Sequence, residues 1–405
     1  MKKWLSKIFG ILLVLYCVGV IIDISKHKNI YQWDFLSCYY STKAYEAGLN
    51  PYDANTVSEI SGKKSFAYDY PPITLYFFKI FTKLDYNSAF DAYLILKCVL
   101  LAGLILLWRN VFLNKQTDFI FYLLCLLAFD TTIYIDLRAG NPCTIEQFMI
   151  WLALFFYLKR KYTFFCIAAI AAAIFKIQPI FFLFLLLFIE DKNKYKYLIG
   201  SFCAFGAIFL ATYLFEPNLF SNFITVAVGT TEENGIFNPS TFSFAQDLLQ
   251  TLSKITGIVI LNKAYLILYL IIVTPVLLAS RLAYISIKNL KIKDEEKWKW
   301  IIFLMCFVYA LICPRFKNYS YIIIIVPAYF VIKRASCIKP NTLLSIFTTM
   351  FIVYLTFPIF VSIPGSKTVA YFFWNYYPLT AAYCLWGLFL CEISSHHKAI
   401  QTPAS

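Results

Sequence analysis

Histidine is nearly missing from this chain of 405 residues: His27, His396 and His397 are the only three. That argues against a metal centre built on imidazoles and against a histidine general base. Charge is scarce as well. Asp, Glu, Lys and Arg together make up 14% of the residues, where a soluble domain carries about a quarter. No two cysteines stand in a C-x-x-C spacing. The twelve Cys are scattered, mostly inside apolar runs, and read as small core residues rather than a zinc or disulfide framework. A Gly-rich phosphate loop is lacking. So is an Asp-x-Asp motif, and a nucleotide-bound donor loses its usual anchors.

What is present is apolar. Hydrophobic residues make up 60% of the chain and aromatics 20%. Apolar runs of about 18 or more residues recur from end to end, which predicts a polytopic, all-α integral membrane protein. The runs are continuous rather than alternating, so a β-barrel is not expected. The formal net charge of +14 would suggest nucleic acid in a soluble chain. Here Lys and Arg sit in short clusters between runs, where topology explains them, and no nucleic-acid partner is expected.

Read in order, Lys2, Lys3 and Lys7 precede an apolar run from about Ile8 to Ile24 with no small-x-small cleavage site after it. This predicts an uncleaved first helix with a cytoplasmic N-terminus, and places Ser25 to Tyr70 outside. Pro72 to Thr82 is too short to cross and reads as interfacial or re-entrant. Spans follow at about Ala89–Leu107 and Phe119–Ile135, the second delivering Asp136 to Pro142 to the outer face. Tyr162 to Ile189 lies between basic clusters, so it is expected as two half-spans turning at Lys176-Ile177-Gln178-Pro179. Tyr197–Phe215 crosses outward to a second outer loop holding Glu232, Glu233 and Asp247. A span to about Ser280 returns inside. Trp300–Ile312 presents Cys313 to Tyr319, and Ser320–Ile332 returns. Leu343–Phe360 and Leu379–Cys391 complete ten to twelve membrane segments. One membrane domain is expected over residues 1–395, with outer loops at 25–88 and 216–256 and a cytoplasmic tail at 396–405.

Between Trp33 and Pro72 lies the first long polar stretch, opening on Asp34 just outside the first helix. The topology sets Asp34, Asp136, Arg138, Lys176, Arg315 and Lys317 all at the outer face. Ionisable groups near a membrane are costly and often functional. With histidine nearly absent, a carboxylate is the available base for an acceptor hydroxyl. Arg and Lys suit a phosphate, and stabilise it as it leaves. A sugar displaced from a lipid phosphate by a hydroxyl, with Asp34 as base, inverts at the anomeric carbon and calls for no metal. Trp33, Tyr39, Tyr40, Tyr45, Tyr52, Tyr68 and Tyr70 offer stacking faces and hydroxyls to sugar rings. Each residue also has a plain structural reading: Asp34 as a helix cap, Arg138 and Arg315 as interfacial anchors, Lys176 as a snorkelling side chain, Asp53 and Asp69 as turn residues, the tyrosines as an aromatic belt.

The pattern Asp34-Phe35, Tyr39-Tyr40, Ala44, Gly48, Asn50-Pro51-Tyr52, Phe66 and Tyr70-Pro71-Pro72 resembles the first-loop signature of glycosyltransferase family 87. These are polyprenol-phosphate-mannose-dependent mannosyltransferases of the GT-C superfamily. Later pieces fall in the same order: Gly140-Asn141-Pro142, Lys176 with Pro179, and Pro314-Arg315-Phe316-Lys317-Asn318-Tyr319. The likeness spans about residues 5 to 335. It implies Asp34 as the general base, with Arg315 and Lys317 near the donor phosphate. Their place at the outer face adds Lys176 and Arg138 to the cations expected at that phosphate, and Tyr39, Tyr52, Tyr70, Asn141 and Tyr319 are expected toward the substrates. Two departures stand out. The Gly-Gln element reads Gly140-Asn141 with Gln147 displaced, and Tyr319 stands where some members carry His.

The expected function is therefore a membrane glycosyltransferase without cofactor or metal. It would move a sugar, mannose by the resemblance, from a polyprenyl-phosphate carrier to an extracytoplasmic lipid- or glycan-linked acceptor, among membrane lipids in the cell membrane. A transporter or flippase of a lipid-linked sugar is the alternative. It predicts inverted repeats and charges at mid-membrane. No internal repeat is visible, and the charges named above gather at one face.

Overall fold

The computed structural model describes residues 3–229, 234–257, 263–335 and 367–401, and every regular element among them is helical, with no strand. Lys2, Glu232, Glu233, the expected span 343–360 and the last four residues of the tail lie outside the described residues. The first half of the chain runs α1 (Lys3–Lys26), α2 (Trp33–Glu46), α3 (Ala54–Ser61), α4 (Ile73–Phe78), α5 (Tyr86–Leu107), α6 (Phe119–Ala139), α7 (Cys143–Leu158) and α8 (Tyr162–Phe175). A 3-10 segment, Gln178–Phe188, leads to α9 (Lys194–Phe215), α10 (Pro217–Gly229), α11 (Thr241–Thr256), α12 (Ala264–Asn289) and α13 (Asp294–Ile312). A second 3-10 segment, Asn318–Ile324, runs into α14 (Ile325–Ala335), and Lys367–Asn375 and Tyr377–Gln401 follow.

Among the described residues, four helices are long and apolar enough to cross a membrane: Tyr86–Phe112, Phe119–Ala139, Lys194–Phe215 and Ala264–Asn289. Cys143–Leu158, Tyr162–Phe175 and Gln178–Phe188 are shorter apolar helices at the positions of further expected segments. Ile199, Leu210, Tyr213 and Leu214 on α9, and Ile267, Leu270 and Leu278 on α12, are all exposed. Outward apolar faces of this kind are what a helix needs in lipid, where only its backbone polar groups must be satisfied internally.

Two expectations change in detail. The stretch from Trp33 to Pro72 reads as a polar loop, yet most of it is helix. Phe35, Cys38, Tyr39 and Thr42 recur at helical spacing and are buried, which gives α2 an inner face. The span expected at Phe119–Ile135 is interrupted. Ala128 leaves helical geometry, and Phe129, Asp130 and Thr131 take the left-handed region with φ of 55°, 60° and 55°. No Gly or Pro stands there, so nothing local announces the break.

The chain forms two compact units. The first takes Met1–Leu107, Tyr134–Ala153 and Tyr162–Thr231. Its aromatic centre is Phe35, stacked on Tyr93 with centroids 4.3 Å apart and flanked by Phe78 and Phe81, which ties α2 and α4 to α5. The second takes Trp108–Ile133, Leu154–Lys161 and Glu232–Ser405. Its centre is α13, buried continuously from Lys299 to Leu311. Trp300 meets Phe330 and Phe389, and the Arg334 guanidinium lies 4.8 Å from the Trp300 ring centroid.

Candidate active site

In the first unit the chain turns sharply into α2. Gln32 precedes the helix in the left-handed region, φ 56°, and Asp34 occupies the first turn. That position sits at the positive end of the helix dipole, where a carboxylate is favoured. After α2, Gly48 takes φ 74°, and Asn50 accepts the Tyr52 amide at 3.0 Å, closing the Asn50-Pro51-Tyr52 turn. Asp53 then caps α3, accepting from the Asn55 and Thr56 amides and, at 2.6 Å, from the Thr56 hydroxyl. That hydroxyl, then the two amides, holds the Asp53 carboxyl below its usual range. Asp53 is thus a capping residue.

Asn141 is the hub of the site. Its side-chain amide donates to Asp34 Oδ2 at 2.7 Å and to the Tyr70 hydroxyl oxygen at 2.8 Å. Its own Oδ1 accepts the Cys143 amide at 3.0 Å, so one buried residue also opens α7. Three residues distant in sequence and expected at a site, Asp34, Tyr70 and Asn141, are thereby brought together.

Beneath the hub is Lys97, in the middle of α5 and fully buried. Its ammonium donates to the Asp136 carbonyl at 2.6 Å and the Asn141 carbonyl at 2.7 Å, and pairs with Asp136 Oδ2 at 2.9 Å. The Thr144 hydroxyl donates to the same carboxylate. Gly140 takes φ 68°, and a Cβ there would fall 2.8 Å from Gln32 Cβ and 3.0 Å from Gln32 Cα. The close approach lets the Gln32 amide donate to the Arg138 carbonyl at 2.7 Å. The Arg138 guanidinium lies 5.3 Å from the Tyr31 ring centroid and 5.8 Å from that of Trp33, the neighbour of Asp34. Arg138 forms no ion pair among the described residues. Outside the spans, the Tyr31 phenol is pushed up to about 12, chiefly by its hydrogen bond to Asp23.

Lys176 falls between α8 and the 3-10 segment starting at Gln178, and its ammonium lies 3.1 Å from Glu146 Oε2. Tyr39 and Tyr52 are each 3% exposed. Tyr39 donates to the Leu84 carbonyl at 2.7 Å, and Tyr52 to the Tyr70 carbonyl at 2.9 Å. Both hydroxyls are committed to the protein itself. Tyr45 and Tyr76 both donate to Glu216 Oε1, at 2.9 and 2.5 Å.

Arg315, Lys317 and Tyr319 belong to the second unit. Asn238 accepts the Phe316 amide at 2.6 Å and donates to the Pro314 carbonyl at 3.1 Å, gripping the backbone on both sides of Arg315. Ser240 adds a second bond to Pro314 O at 2.7 Å. Tyr319 is buried, and the Asn318 carbonyl is held by the Thr132 hydroxyl at 2.6 Å.

Sequence reasoning did not single out Lys97, Glu146, Gln32 or Asn238. Lys97 had a signal, being the one cation inside the run Ala89–Leu107, with Asp91 at the start of that run. Glu146 had a weaker one, a carboxylate at the head of an apolar helix. Gln32 and Asn238 had none. Among the described residues no group of three or more His, Cys, Asp or Glu is placed to hold a metal ion.

The model of one protein family, glycosyltransferase family 87, matches residues 68–314, more than half of the chain. No curated protein and no solved structure matches.

Proposed function

Because the chain belongs to glycosyltransferase family 87, a family of membrane glycosyltransferases, we propose that it transfers mannose from a polyprenyl-phosphate carrier to an extracytoplasmic lipid- or glycan-linked acceptor, with inversion and with Asp34 as general base. The observation that carries this reading is the hydrogen bond from the Asn141 amide to Asp34 Oδ2 at 2.7 Å. A base must be held in position as well as present. Asn141 holds one oxygen of the carboxylate and so fixes the orientation of the group, and a carboxylate accepts through both of its oxygens.

In the proposed step the acceptor oxygen attacks the anomeric carbon as its proton passes to Asp34. The bond from that carbon to the phosphate oxygen breaks, and the phosphate leaves with the electron pair. Cations stabilise that charge as it develops. Arg138 suits this role, since its guanidinium lies over Trp33 beside Asp34 and has no ion-pair partner among the described residues. A guanidinium also offers a phosphate two parallel donors. Lys176 is a second candidate, sharing its charge with Glu146. For Arg315, Lys317 and Tyr319 the support is the motif Pro314 to Tyr319 itself. Tyr70 and Asn141 border the carboxylate and are proposed to touch substrate. For Tyr39 and Tyr52 only ring faces remain to be offered.

The test is transfer of radiolabelled mannose from polyprenyl-phosphate-mannose in membranes holding wild type or Asp34→Asn at equal expression. Label entering a new glycan with wild type, and lost in the variant, supports the reading. Equal transfer by both removes Asp34 as base. No transfer by wild type removes mannose as the donor sugar.

A further inference from the structure

We propose that Lys97 is a positioning residue that holds Asp34 in place through Asn141. The proposal rests on the reading of Asp34 as base, and it adds a residue remote from the sugar. An ammonium has three donor hydrogens. All three here go to one short segment: the Asp136 carbonyl, the Asp136 carboxylate and the Asn141 carbonyl. An ion pair alone would need only the carboxylate. The third bond fixes the backbone of the residue whose amide holds Asp34.

The segment is tied from its other side as well. The Gln32 amide binds the Arg138 carbonyl, and Gly140 packs against Gln32, two residues before Asp34. Gln32 therefore sets where the start of α2 lies against the segment. Lys97 sets where Asn141 lies within it. Both are needed to fix the 2.7 Å contact between amide and carboxylate. Without the ammonium, a buried carbonyl at Asn141 loses its donor and the turn is free to shift. A displacement of about 1 Å at a reacting group costs about a hundredfold in rate.

Lys97→Met alone would strand a buried carboxylate, so the variant is Lys97→Met with Asp136→Asn, which removes both charges together. Two readouts are taken. The first is the reactivity of Asp34 toward a water-soluble carbodiimide with glycine methyl ester, quantified on peptides against Asp53 in the same sample; this needs no donor. The second is mannosyl transfer. The variant is expected to raise Asp34 labelling several-fold, and to lower kcat about a hundredfold with the donor KM within about threefold. Thr144→Val, which removes one hydrogen bond to Asp136 and leaves the ties of Lys97 intact, is expected to match wild type in both. Added to Asn141→Ala, the paired variant should lower kcat no further.

Unchanged labelling in a folded paired variant overturns the proposal and leaves Lys97 as half of an ion pair. Equal effects in Thr144→Val, or a further large fall on the Asn141→Ala background, also overturn it. If the paired variant does not fold, Lys97→Gln with Asp136→Asn fills the same space and donates to a carbonyl once; it must show labelling above wild type. If wild type transfers no mannose, the proposed reaction fails, while labelling still decides whether Lys97 holds Asp34.

Discussion

The side-chain amide of Asn141 donates to the carboxylate of Asp34 at 2.7 Å, across 107 positions of sequence. The same nitrogen reaches Tyr70, and Oδ1 accepts the Cys143 amide. Asn141→Ala therefore removes one partner of the proposed base, and a capping bond with it. General-base catalysis contributes about 10²–10⁴-fold, so loss of the positioning amide should take part of that, about ten- to a hundredfold in kcat. The donor KM should change little. Initial rates over a range of donor concentration check it, and an unchanged kcat would show that Asp34 does not depend on this contact.

Gly140→Ala should be the most damaging small substitution in the site. The backbone is left-handed there, φ 68°, and a Cβ would come within 3.0 Å of the Gln32 Cα. An Ala in that conformation costs about 1–2 kcal/mol before the clash is counted. A backbone atom cannot swing away as a side chain can. The Gln32–Arg138 bond must therefore lengthen, and α2 and Asn141 part. Purified variant protein should melt several degrees below wild type in detergent and lose transfer. Gly48→Ala is the control: it is also left-handed, φ 74°, but open to space. Its fall in melting temperature should be smaller.

Much of this arrangement was legible in the sequence, and the illegible part has a physical cause. Apolar runs and basic clusters mark the helices because each run must satisfy its backbone in lipid by itself. Asp34, Tyr70 and Asn141 stood out as polar groups at the rims of those runs. That α2 is a helix rather than a loop depended on Phe35 and Tyr39 finding Phe81, Tyr86 and Tyr93, which no window of sequence contains. Lys97 is one charge in an apolar run. Its partners are 39 and 44 residues away, so only the fold reveals what it holds. Asn238 gives no local signal, because its value lies in reaching the backbone on both sides of Arg315.

Asp53 gives a pH prediction with a definite sign. Its carboxyl is held below the ordinary value by the Thr56 hydroxyl and by the amides of Thr56 and Asn55. The stabilisation this represents is present above the unfolded value of about 3.9 and is lost as pH falls through the lowered folded value. Asn is also a good cap but does not titrate. Wild type should therefore melt above Asp53→Asn at pH 7, and the gap should narrow at pH 3. A gap of the same size at both pH values would mean that the carboxylate charge contributes nothing to the cap.

Glu146 and Lys176 give the last prediction, because their pairing separates a structural role from a catalytic one. The side chains are 1% and 18% exposed, with nitrogen and oxygen 3.1 Å apart. Removing one partner of a buried pair costs about 3–5 kcal/mol, whereas replacing both is often neutral. Lys176→Met and Glu146→Gln should each lower the melting temperature clearly, and the double variant should recover most of the loss. In that stable background, the donor KM then reports on Lys176 alone. A lost hydrogen bond to a charged group is worth about 1.5–3 kcal/mol, so a lysine on the donor phosphate should leave KM raised at least tenfold. A double variant as stable as wild type and with its KM would assign Lys176 to the fold. Arg138 would then remain as the cation beside Asp34 with no ion-pair partner among the described residues.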